Sequence, residues 1–214
     1  MKARKDFHQQ LDELYLELLR MANATMEVLE RTRAAFRDVD MEAAQSIIEG
    51  DDEIDGYVTR IDGEGIKLLA RQAPVAIDLR TIVIIMRISQ ELERAADNCV
   101  NISKAMENMQ GYALSPWIRE NMDEMFRWAI KIIVGAVNAF KERDPDMAEE
   151  LTRMDDTVDR INREFLTTYD RESEDETELV VRVVMTARFL ERVADHGVNI
   201  GKEVRYMVTG EFAD

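Results

Sequence analysis

The segment Glu93-Arg94-Ala95-Ala96-Asp97-Asn98-Cys99-Val100-Asn101-Ile102 returns as Glu191-Arg192-Val193-Ala194-Asp195-His196-Gly197-Val198-Asn199-Ile200, with seven of ten positions identical at an offset of 98. A second block shows the same duplication. Phe36 through Asp55 falls on Phe140 through Asp159 at an offset of 104, so Asp51-Asp52-Glu53-Ile54-Asp55 meets Asp155-Asp156-Thr157-Val158-Asp159. The change of offset places a six-residue deletion in the second copy, at a helix-helix turn. Any fold for this chain must therefore be assembled from two like halves, divided here as residues 1–110 and 111–214.

Nine Gly and three Pro in 214 residues leave few natural interruptions. The abundant Ala, Leu, Met, Glu and Arg lose little rotamer freedom in a helix. Apolar periodicity read against break signals predicts three helices per half, at about 6–37, 40–71 and 74–109, then 116–143, 145–169 and 176–208. Pro74 suits a first helical turn, where its missing N–H leaves nothing unpaired. Ser115 suits a cap ahead of Pro116, and the acidic stretch 170–178 reads as a solvated turn. The expected fold is all-α: two pseudo-symmetric antiparallel three-helix bundles. The Met- and Ile-rich surfaces of the first and fourth helices are expected to pack the halves together.

A formal charge of −16 argues against nucleic acid as a partner, since such binding rests on a basic surface that displaces counterions. The longest apolar runs, Ile82–Met86 and Ile130–Val137, fall far short of the roughly 20 residues that span a bilayer, so a membrane is reached only through partners. The single cysteine, Cys99, reads as buried apolar filler. With no segment resembling a signal peptide, the expected location is the cytoplasm.

The duplicated helix places Glu93, Asp97 and Asn101 within an arc of about 80°, and does the same for Glu191, Asp195 and Asn199. The helix before it carries Asp51 and Asp55 in one half and Asp155 and Asp159 in the other; Asp62 lies on the first stripe too. At the 104 offset, Asn162 stands against Val58. If these helices are antiparallel neighbours, D-x-x-x-D faces E-x-x-x-D and four carboxylates converge in each half. Such like charges repel unless protonated or neutralised by cations. The candidate metal ligands are therefore Asp51, Asp55, Glu93 and Asp97, with Asp155, Asp159, Glu191 and Asp195, for Mg, Mn, Fe or Zn. The competing explanation is that Arg94 and Arg192 pair with these acids. His196, matched by Asn98, serves either as a nitrogen ligand or as a hydrogen-bonding group. Metal bound unequally would favour the second half. Nothing marks an enzyme: there is no Gly-rich phosphate loop, no G-x-S-x-G elbow and no E-x-x-H of a carboxylate-bridged oxidase.

Taken together these residues resemble the PhoU family, whose hallmark is a tandem pair of three-helix repeats with E-R-x-x-D-H-x-x-N-I on the last helix of each. The second copy, followed by Glu203, Tyr206 and Gly210, matches that pattern, and Gln72-Ala73-Pro74-Val75-Ala76-Ile77-Asp78-Leu79-Arg80 resembles the signature opening the third helix. Asn98 departs from it where His is usual, as do Ala96 and Ala194 where Gly often precedes the Asp. The resemblance implies multinuclear metal held by the E/D-x-x-x-D pairs. It also implies a non-catalytic negative regulator of phosphate uptake and phosphate-starvation signalling, which contacts the ATPase subunit of the phosphate transporter and, in bacteria, a sensor histidine kinase. A homodimer is the expected assembly. The alternative is a purely structural helical interaction module.

Overall fold

Capping side chains and left-handed turn residues delimit the helices of the computed structural model, which describes residues 2–72, 74–172 and 177–211. The elements are α1 (Lys2–Asp38), α2 (Met41–Glu49), α3 (Asp51–Gln72), α4 (Ala76–Met106), a 3-10 turn (Glu107–Met109), α5 (Pro116–Glu142), α6 (Pro145–Glu172) and α7 (Thr177–Thr209). Ala73 and the centre of the acidic turn, 173–176, lie outside the described residues. No helix among the described residues is long and apolar enough to cross a membrane.

The duplication is visible in the turns. Val39 and Arg143, which are 104 positions apart, both adopt left-handed backbone at φ 52° and 53°. The residues after them return N–H groups to equivalent carbonyls, Asp40 to Ala35 at 2.9 Å and Asp144 to Ala139 at 3.0 Å. Asp40 Oδ1 then accepts from Ala43 N, and Asp144 Oδ1 accepts from the N–H groups of Asp146 and Met147, satisfying donors that a helix start leaves open. Ser115 caps α5 through Ile118 N, with Pro116 at the first helical position, as the sequence predicts.

Two expectations fail locally. The single helix expected over 40–71 is two, because Gly50, at φ −87° and ψ 0°, bonds back to Ile47 O and lets Asp51 open a new helix. Burial of Ala44 and Ile47 holds α2 in place, so tertiary packing sets the angle at Gly50. Met154 occupies the matching position in the second half, and α6 runs through without a break. Pro74 does not open α4 either. Extended Val75 intervenes, and Ala76 turns the corner at φ 50°.

α1, α3 and α4 form one bundle and α5, α6 and α7 the other; α4 and α7 pack along each other as the central antiparallel pair. α1 and α5 also meet, through the stacked rings of Tyr15 and Phe140 and the 2.7 Å Arg33–Asp123 ion pair. The halves are thus joined more extensively through their third helices than through the first and fourth. A continuous core of Ile, Leu, Met, Ala and Phe runs through both. In the second bundle Leu151 occupies a slot between two glycines. A Cβ at Gly135 or Gly201 would come within 2.8 Å of its methyls.

Candidate functional site

Asp51 lies in the first turn of α3 and Asp55 one turn on, both on the stripe facing α4, where Glu93 and Asp97 sit at the margin of the buried face. The four act on one another electrostatically. Burial raises the Asp51 carboxyl above its ordinary range, and Asp97 and Asp55 raise it further. Glu93 is raised likewise, by burial and then by Asp97, Asp55 and Asp51. Asp62 is half-buried with Oδ1 unpartnered, but it is not among the charges that act on Asp51 or Glu93.

α6 and α7 repeat the arrangement with more force. Asp155 is pushed up to about 6, by burial first and then by Asp195, Asp159, Asp156 and Glu191. Its Oδ1 is buried without a hydrogen-bond partner. Asp195 is raised by desolvation and by Asp159. Glu191 accepts at Oε2 from Asn162 Nδ2 (2.8 Å) and from Arg188 (2.7 Å).

All eight candidate carboxylates therefore fall into two facing groups, one per half. Among the described residues, no three His, Cys, Asp or Glu side chains are drawn into a preformed metal cage. Like charges held in a small volume repel unless they are protonated or screened by a cation. The donor chemistry fits a hard cation: oxygen donors throughout, with Asp51, Glu93, Asp155 and Asp195 raised by burial and by neighbouring carboxylates, and with Asp155 Oδ1 and the amide oxygen of Asn162 buried and unpartnered.

Of the arginines, Arg188 pairs with Glu191, but Arg94 and Arg192 do not pair with the candidate acids. Arg94 turns to Glu91 at 3.1 Å, and Arg192 lies over the Phe189 ring, 5.7 Å from its centroid. His196 likewise points away from the carboxylate group of its own half. Its Nδ1 lies 2.9 Å from Glu91 Oε2 across the α4–α7 interface, and Asn199 donates to the same oxygen at 3.1 Å. Burial pushes Glu91 up, but the His196 and Asn199 hydrogen bonds outweigh it and hold the carboxyl below its ordinary range. Sequence reasoning missed Glu91, Arg188 and the part played by Asn162. Only Asn162 left a trace there, as a mismatch with Val58. Cys99 is fully buried, its thiol pushed up to about 12 by burial, and carries no reactivity.

Comparison with known proteins places relatives along the whole chain. The PhoU domain model matches residues 18–106 and 122–204. A phosphate-specific transport system accessory protein PhoU homologue of Clostridium acetobutylicum is 33% identical over 99% of this chain and 98% of that protein. PhoU homologue 1 of Mycobacterium leprae is 30% identical over 99% and 96%. The crystal structure of PhoU from Pseudomonas aeruginosa superposes with a TM-score of 0.87 at 29% identity, covering 96% of this chain and all of that one. The phosphate transport system regulatory protein PhoU from Streptococcus pneumoniae, at 24% identity, shares the fold with a TM-score of 0.89 over 97% and 99%.

Proposed function

The chain belongs to the PhoU family, and from that premise we propose that it is a non-catalytic accessory protein of a phosphate transport system. In this reading it restrains phosphate uptake and phosphate-starvation signalling by contacting the transporter's ATPase subunit, and a sensor histidine kinase where one is present, as a cytoplasmic homodimer. Relatives named for that system across nearly the full chain support the assignment. Deleting the gene and following phosphate uptake in phosphate-replete cells tests it. Uptake that escapes restraint is the expected result, and unchanged homeostasis refutes the reading.

The observation that carries the second part of the proposal is the doubled carboxylate group. Asp51, Asp55, Glu93 and Asp97 would hold cation in the first half, and Asp155, Asp159, Glu191 and Asp195 in the second. Bound metal would supply positive charge that neutralises each group. With His196 engaged by Glu91, the donors are oxygens, which favours Mg, Mn or Fe over softer metals. The protein's own contribution is to hold four acids on two rigid helices at the margin of the core. Changing Glu93 and Asp97 together to Ala is expected to remove about one site's worth of metal from the purified protein. Elemental analysis that finds unchanged content overturns the ligand assignment.

A further inference from the structure

The two carboxylate groups are not equivalent, and one of the differences is an amide. Asn162 is 4% exposed on the α6 stripe that carries Asp155 and Asp159. Its Nδ2 donates to Glu191 Oε2 at 2.8 Å, which places the amide at the end of the carboxylate group and identifies the other atom as the oxygen. That oxygen, Oδ1, is buried and has no hydrogen-bond partner. A buried polar atom left unmatched is destabilising by roughly 1–3 kcal/mol, so it persists where something else is served by it. In the first half the matching position is Val58, whose side chain offers no oxygen. Arg188, which shares Glu191 Oε2, is a cation and competes for carboxylate charge without contributing a ligand atom.

We infer that Asn162 supplies a fifth coordinating oxygen to a hard cation in the second carboxylate group, making that group the tighter of the two. The inference rests on the metal reading above. It transfers the expected advantage of the second half from His196, which is turned to Glu91, to a residue already touching the site. A neutral amide oxygen also adds a ligand without adding to the repulsion among Asp155, Asp159, Glu191 and Asp195.

Mn2+ titration of the full-length protein, read by electron paramagnetic resonance of the free ion, tests it. The titration uses a background carrying Asp51→Asn and Asp55→Asn, which leaves the second group alone to bind. Asn162→Val is expected to weaken Mn2+ about 10- to 100-fold, the range seen when supporting residues of metal sites are removed. Val is compatible with a buried helical stripe of this kind, as Val58 illustrates, and the metal-free melting curve checks folding. Asn162→Asp, which keeps an oxygen, is expected to bind within about threefold of the parent. Parent-like binding by the Val variant overturns the inference and spares the metal reading. An Asp variant as weak as the Val variant also overturns it, because the N–H group then matters and the oxygen does not. Failure of the wild-type chain to bind Mn2+ overturns both.

Discussion

Asp155→Asn should stabilise the metal-free protein at neutral pH, although it removes a charge from a polar site. The wild-type carboxyl titrates at about 6 in the fold, against 3.8 for the ordinary side chain. Below both values it is protonated in the folded and unfolded chain alike, and nothing is lost. Between them the unfolded chain releases its proton while the folded one retains it, so stability falls as pH rises, and the deficit is constant above about 6. At 1.36 kcal/mol per pH unit the ceiling is about 3 kcal/mol. Asp155 is only half-buried, and solvent screening reduces this to about 1 kcal/mol. For a chain of this size that corresponds to a rise in Tm of about 2–4 °C for the Asn variant. Differential scanning calorimetry in chelator at pH 8 and pH 4 measures it. The gain should be present at pH 8 and absent at pH 4. An equal change at both pH values, or a loss at pH 8, refutes the electrostatic account. With saturating Mn2+ the sign should reverse, because the wild type then gains ligand-binding free energy that the variant lacks.

Four further outcomes follow from the packing and the α4–α7 interface. Leu151→Ala empties the slot between Gly135 and Gly201 and should lower stability by about 2–5 kcal/mol in urea unfolding; a change below 1 kcal/mol contradicts the slot. Gly201→Ala pushes a methyl against Leu151 and the Ala148 carbonyl, and should cost about 1–3 kcal/mol by the same assay. Cys99 should resist thiol reagents at neutral pH until the protein unfolds, with labelling that tracks denaturant; rapid labelling of native protein argues against its burial. Glu91→Gln should weaken the α4–α7 interface by about 1.5–3 kcal/mol at pH 7. Because the folded carboxyl titrates below its ordinary range, that difference should shrink as pH falls below about 4, and one that grows there contradicts the sign.

The all-helical class was legible, and so were the starts of α5 and α6, because Ser115-Pro116 and Asp144-Pro145 announce them through local chemistry that needs no tertiary partner. The facing of Asp51 and Asp55 to Glu93 and Asp97 was legible too, since helical periodicity and antiparallel pairing suffice for it. The break at Gly50 was not, because a lone Gly is tolerated within a helical pattern. Docking of Ala44 and Ile47 decides whether the helix bends there. His196 was ambiguous for a related reason: its partner, Glu91, lies 105 positions away on another helix, beyond any local pattern. Arg94 had acids on both sides, and the choice of Glu91 over Glu93 depends on which face meets α7.

The bond between Glu91 and His196 is made once. At the 98 offset Glu91 corresponds to Phe189, and His196 to Asn98, so the reciprocal meeting of those two positions has neither charge nor imidazole. Two identical half-chains pairing about a two-fold axis would present every contact in duplicate, and no such lopsided link could arise. Two copies joined in one chain are under no such obligation. Each can differ to fit the other, so the seam has a left and a right and the halves are not interchangeable.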